Sequence, residues 1–172
     1  MGKPDRQGAA DIIRDAGGEI VGRTRLQKVA YLLELAGLGD GFQFEYRHYG
    51  PYSEDLTDAI RLANAFGLIV EEERQANRGG RYSIFRTKSD SGPHRTMERR
   101  AFAAKAAKID AVELELAATA AYLVSAENCE DPWGETAKRK PEKADNGRLD
   151  AAKAAYRELQ KIQTPRSLPA IG

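Results

Sequence analysis

The sequence predicts an α+β, mostly helical protein, and three observations carry that expectation. First, apolar residues recur at helical spacing in two separate stretches, Leu26, Val29, Ala30, Leu33 and then Leu56, Ala59, Ile60, Ala63, so each stretch is a helix with one face turned to a core. Second, Phe42, Phe44 and Tyr46 alternate with Gln43, Glu45 and Arg47, and two β-prone runs, 68–73 and 81–86, flank Gly79-Gly80; these are the marks of a strand and of a β-hairpin. Third, residues 116–124 offer almost no polar face, as in a helix buried on every side.

Taken in order, Ala9 to Ala16 forms an opening helix with Ile12 and Ile13 facing inward, ended by Gly17-Gly18. Residues 19–22 connect it to the helix that starts beyond Thr24, an expected N-cap, and that ends near Gly37. A loop containing Gly39, Asp40 and Gly41 leads into the aromatic strand. Gly50-Pro51 is expected to break that strand in a turn, and Ser53, followed by Glu54 and Asp55, supplies a capping oxygen and first-turn carboxylates for the next helix. Gly67 stands where a left-handed C-terminal cap belongs. Helix, helix, strand, helix, hairpin is the order of a winged helix. Residues 1–90 are therefore read as a winged-helix lobe whose small β-hairpin wing has its tip at 75–81.

Beyond it, the polar, breaker-rich stretch 87–94 marks a boundary, with residues 91–95 as the linker. Thr96 can cap a helix over 97–107, and another runs over 111–126, buried either between the two parts of the chain or in the subunit interface of a homo-oligomer. Asp131-Pro132 is an N-cap and N1 pair, Pro141 bends or ends the short helix that follows, and Leu149, Ala152, Tyr156 and Leu159 stripe a last amphipathic helix. Residues 96–163 form a helical C-terminal extension packed against the lobe. Residues 164–172, with two prolines, are expected to be a flexible tail.

Three segments read together, Arg25 to Leu33, His48 to Leu56 and Gly67 to Ile69, resemble the YwgA-like and Panacea-type winged-helix family, which includes SocA-like antitoxins. Leu26, Gln27 and Tyr31 in the first, and Tyr49, Gly50, Pro51, Tyr52 and Ser53 in the second, carry the likeness. Ala117 to Leu123, Trp133, Lys140-Pro141 and the helix after Gly147 resemble the helical extension of such proteins. The resemblance implies the winged-helix fold and an antitoxin-like role: capture of a partner protein such as a cognate toxin, with repression of its own promoter as a compatible second task. It carries over no catalytic residue.

Composition narrows the chemistry. No apolar run approaches the ~20 residues of a membrane span and no leader is visible, so a cytoplasmic protein without membrane contact is expected. Cys129 is the single cysteine, which excludes an intrachain disulfide and a cysteine-based zinc site. His48 and His94 lack partners at ligand spacing, and no nucleophile elbow or phosphate-binding glycine loop is present. No metal, no cofactor and no catalysis are expected. Tyr46, Tyr49 and Tyr52 are read as braces of the Gly-Pro turn, and Trp133 as an anchor of the terminal helices.

The net charge of +1 is balanced along the chain, so any nucleic-acid surface must be local. The first turn of the third helix bears Glu54, Asp55 and Asp58, which oppose phosphate and are the candidates for partner contact, together with the C-terminal helices. Positive charge gathers instead on the hairpin and behind it, at Arg74, Arg78, Arg81, Arg86 and Lys88, then Arg95, Arg99 and Arg100. Candidate DNA contacts are Arg25, Lys28, Arg78, Arg81 and Arg86. The leading expectation is a non-catalytic, antitoxin-like protein-binding module; the alternative is a winged-helix DNA-binding transcriptional regulator that uses its basic wing.

Overall fold

The computed structural model describes residues 5–88 and 96–171. The linker expected at 91–95, with His94 and Arg95, lies outside the described residues. The protein is α+β, with helices around small antiparallel sheets.

Helix α1 (Arg6–Asp15) begins where the Asp5 side chain accepts the Gly8 amide at 2.8 Å, and it buries Ile12 and Ile13. Residues Glu19–Val21, expected as a plain connection, form strand β1 and pair antiparallel with a later strand. Three residues are too few to show alternation, so only the partner strand reveals them. Helix α2 (Arg23–Leu35) starts from Gly22, and the expected cap Thr24 lies inside its first turn. The Gly22 amide donates to Ser83 O at 2.8 Å, so the strand pairing sets where the helix begins. Leu26, Val29, Ala30 and Leu33 are buried as expected, and so are Tyr31 and Leu32.

The aromatic segment keeps its alternation of burial, but only Glu45–Arg47 is hydrogen-bonded as β2. It pairs with β3 (Gly50–Tyr52) in the register Tyr46↔Pro51 and Arg47↔Gly50. The turn therefore falls on His48-Tyr49, and Gly50-Pro51 opens the return strand instead of forming the turn. Ser53 caps α3 (Glu54–Ala65) through the Leu56 amide at 3.1 Å, the stripe Leu56, Ala59, Ile60 and Ala63 is buried, and Gly67 is left-handed at φ +76°. Strands β4 (Ile69–Gln75) and β5 (Arg81–Thr87) form the expected hairpin, and β1 joins it in the order β1-β5-β4.

The second half supplies α4 (Met97–Ala107), α5 (Ala111–Ala126), α6 (Pro132–Arg139), α7 (Pro141–Ala144) and α8 (Arg148–Gln160). Thr96, Asp110 and Asp131 cap α4, α5 and α6 through their side chains. Leu114, Leu116, Ala117, Ala118, Ala120, Ala121 and Leu123 of α5 are fully buried against α2, β3, α6 and α8. One apolar cluster runs from Ile12 and Ile13 through Leu32 and Leu116 to Tyr156 and Leu159. The apolar face of α5 is thus consumed inside the chain and is not left for a subunit interface.

Two further expectations are corrected. Arg99, counted with the basic surface behind the hairpin, is 2% exposed. It donates to Asp15 Oδ2 at 2.6 Å, Leu38 O at 2.5 Å and Asp40 Oδ2 at 3.1 Å, tying α4 to α1 and to the loop after α2. The tail, expected to be flexible, is docked: Leu168 is buried, the Arg166 amide donates to Ala36 O at 3.0 Å, and the Tyr156 hydroxyl donates to Pro169 O at 2.6 Å. Among the described residues no helix is long and apolar enough to cross a membrane.

Candidate functional site

The residues of the two motif blocks meet. The Gln27 amide clasps the backbone of Ser53 from both sides, accepting its N–H at 2.8 Å and donating to its C=O at 3.0 Å, and it also donates to Thr57 Oγ1 at 3.1 Å. Lys28 Nζ donates to Pro51 O at 2.7 Å. Lys140 Nζ, from the C-terminal half, donates to His48 O at 3.0 Å. Both strands' ends at the β2–β3 turn are therefore held by lysines, one from each half of the chain. Glu115, 3% exposed on α5, holds the second of these: Lys140 lies 3.0 Å and Lys143 2.7 Å from its carboxylate.

Lys28 is 1% exposed. Burial pushes its pKa down to about 7, with Lys140 and Lys143 adding to the fall and Glu115 opposing it. Gly50 sits beside this cluster at φ +90°, and a Cβ there would come within 2.5 Å of Thr119 Oγ1. Glycine is thus required twice over, by backbone sign and by space. Tyr31 packs on Phe44 and Tyr122 with ring centroids 5.2 Å and 5.8 Å away, and burial raises its hydroxyl pKa.

Above the clasp lies a groove of about 350 Å³. Leu26, Leu56, Ile60 and Phe85 form its apolar floor; Gln27, Lys28 and Thr57 line it further, with Tyr49 and Tyr52 from the hairpin and Arg23, Arg61 and Glu71. Tyr49 is 52% exposed, with Lys143 Nζ 4.6 Å from its ring centroid. Tyr52 shares a 2.8 Å hydrogen bond with Thr57, and Arg47 stacks 4.9 Å above its ring.

Of the candidate DNA contacts, Arg25 and Arg81 line a common cavity with Arg23 and Glu73, and Lys28, Arg78 and Arg86 do not line it. Arg25 is half-buried at the start of α2, donating to Val21 O at 2.6 Å and Ile109 O at 3.2 Å, and Lys28 is buried. Arg81 pairs with Glu73 at 3.3 Å, and Arg86 lies 2.7 Å from both Glu19 and Glu72. Arg74 pairs with Glu72 at 3.0 Å. Arg78, exposed at the hairpin tip, has no ion pair among the described residues. The positive run seen in sequence is thus interleaved with the glutamates of β4, a neutralisation that only the cross-strand register makes visible.

The candidate partner contacts stay on the surface. Glu54 pairs with Arg47 at 3.2 Å, Asp55 accepts the Gln43 amide at 3.2 Å, and Asp58 pairs with Arg61 at 3.3 Å. Sequence reading missed Arg23, Arg61, Glu115, Thr119 and Lys143. They come from α2, α3, α5 and α7 and no spacing links them.

Over 76 residues, 42% of the chain, the sequence is 36% identical to the uncharacterized protein YwgA of Bacillus subtilis. The match spans 45% of that protein's length. The expected likeness to YwgA thus holds over part of the chain. No family model matches the sequence, and no solved structure does either.

Proposed function

We propose that the chain is a winged-helix protein-binding module of the antitoxin-like kind, without catalysis of its own. The winged-helix reading is supported by the order α1-β1-α2-β2-β3-α3-β4-β5, with the β2–β3 hairpin between the second and third helices, and by β1 adding to the free edge of β5. In such a fold α3 is the helix that would enter the major groove, and the β4–β5 hairpin is the wing.

The observation that carries the function is the charge arrangement on those two elements. The first turn of α3 carries Glu54 and Asp55, with Asp58 just beyond it, and the wing arginines Arg74, Arg81 and Arg86 each face a glutamate of the same sheet. Phosphate attraction supplies most nonspecific DNA affinity, and here both surfaces withhold it. A protein partner asks for no such excess of positive charge. The resemblance to SocA-like antitoxins points to a toxin as that partner, with promoter repression as a compatible second task. One observation favours a DNA-binding regulator instead: Arg78 at the wing tip is exposed and carries no ion pair among the described residues.

The test sets a gel-shift assay beside co-purification from the native host. Weak DNA binding at physiological salt together with a stoichiometric small protein supports the proposal. Tight, sequence-selective DNA binding that Arg78→Ala and Arg81→Ala weaken, with a salt slope shallower by roughly 1 per lost contact, establishes the regulator.

A further inference from the structure

We infer that the groove between α2, α3 and the two hairpins is the docking site for an acidic, amphipathic segment of a partner protein. The inference rests on the protein-binding reading and names its surface and the chemistry of its occupant.

The floor is Leu26, Leu56, Ile60 and Phe85, and a cavity of about 350 Å³ above it is large enough for apolar side chains presented on one face of a segment. Charge selects the segment. Among the described residues lining the groove, Arg23 and Arg61 are the exposed cations, Lys28 is buried, and Glu71 is the one carboxylate. Glu71 is already engaged, accepting from Ser83 Oγ at 2.6 Å and from Arg23 at 2.7 Å. Burial pushes its pKa up, but the bonds from Ser83 and Arg23 outweigh that and leave it below the usual carboxylate value.

The rim cations are poised to exchange partners. The side chains of Arg23 and Arg61 are 69% and 73% exposed, and among the described residues Arg61 is held only by a 3.3 Å pair to Asp58 on its own helix. Exposed pairs of this kind contribute little, so a partner's carboxylate can replace or join them at small cost. A basic segment would bring its charge against two exposed arginines. Nucleic acid would gain nothing from the apolar floor.

Tyr49 provides the anchor. Its ring is half in solvent at the groove's edge, while the carbonyls on either side of it, His48 O and Pro51 O, are held by Lys140 and Lys28. A tyrosine on a backbone already fixed loses little entropy on binding, and tyrosine with arginine is the composition typical of binding hot spots.

The test pans a phage-displayed library of random 16-residue peptides on the full chain, then follows an enriched, fluorescein-labelled peptide by anisotropy and by amide shift mapping. The expected peptides carry net negative charge with apolar residues at i, i+3 or i+4, and their shifts gather on Gln27, Tyr49, Thr57 and Arg61. The double variant Arg23→Gln/Arg61→Gln, in which the amide introduced at position 23 can still donate to Glu71, and separately Tyr49→Ala, should each weaken binding about tenfold or more. Melting should stay close to wild type, because no like charges are brought together and these side chains are exposed. Failure to enrich any peptide, enrichment of basic ones, or shifts gathered elsewhere would overturn the groove assignment. If a native partner is then captured equally by wild type and variants, protein binding stands and the groove is wrong. If the chain captures no protein and binds DNA tightly, both readings fall.

Discussion

At the scale of single residues, Lys28 and Gly50 explain why the two motif blocks belong together. Lys28 is a buried cation whose hydrogen bond to Pro51 O secures the hairpin, but whose charge is disfavoured by burial. Its pKa falls from 10.5 in the open chain to about 7 when folded. Between those values the unfolded chain binds more protons, so this residue's contribution to stability grows as pH rises through the window and is lost as pH falls toward 7. Urea denaturation of wild type and Lys28→Met at several pH values should show wild type gaining on the variant above pH 7, by at most about 1.4 kcal/mol per pH unit. A difference independent of pH would mean that Lys28 keeps an ordinary pKa. Gly50→Ala should destabilise by roughly 1 to 3 kcal/mol, since it combines a left-handed φ with a Cβ 2.5 Å from Thr119 Oγ1. An unchanged midpoint at constant slope would show that the site relaxes freely.

At the scale of elements, the helices were legible because their signals are local. The Leu56-Ala59-Ile60-Ala63 stripe, the Ser53 cap and Gly67 all lie within one helix and its ends, and each occupies the role its spacing predicts. Ser53→Ala should accordingly cost roughly 0.5 to 2 kcal/mol, read as a shift in denaturation midpoint. That loss concerns the Oγ bond to Leu56, because the Gln27 clasp uses Ser53's backbone and survives the change. The strands were less legible. β1 has three residues and no alternation to detect, and the β2–β3 turn was placed on Gly50-Pro51 because Gly-Pro commonly marks turns. In the fold the turn is His48-Tyr49, while Gly50 and Pro51 pair with Arg47 and Tyr46. The basic hairpin misled for a related reason: Glu72 and Glu73 of β4 pair with Arg86 and Arg81 of β5, and register is a long-range property. The groove was invisible for the same reason, since Arg23, Tyr49, Arg61 and Phe85 meet only after α2, the β2–β3 hairpin, α3 and β5 have packed.

At the scale of the whole molecule, a boundary in sequence near residue 90 does not divide the interior. Helix α5 lies against α2 and β3 on one side and α6 and α8 on the other, and a single apolar cluster crosses between the halves. Arg99 adds an ionic tie, with both Asp15 and Asp40 on the far side and all three side chains almost wholly excluded from water. A chain ending at Lys88 would lose Phe102, Leu114, Leu116 and Leu123, each fully buried in the intact protein. Burial of four such side chains contributes on the order of 6 to 12 kcal/mol before entropy is subtracted, comparable with the whole stability of a typical domain. The truncation would also strip Asp15 and Asp40 of the Arg99 guanidinium, and losing one partner of a buried pair is costly in itself. Such a fragment is expected to lack cooperative unfolding and to aggregate, measured by thermal melting and analytical size exclusion beside the full chain. The ionic share can be isolated by Arg99→Met in the intact protein, which keeps the volume nearly constant and should lower stability by about 3 to 5 kcal/mol. A fragment that melts cooperatively at the temperature of the full chain would show instead that residues 5–88 fold alone and that α4 to α8 merely lean on a finished core.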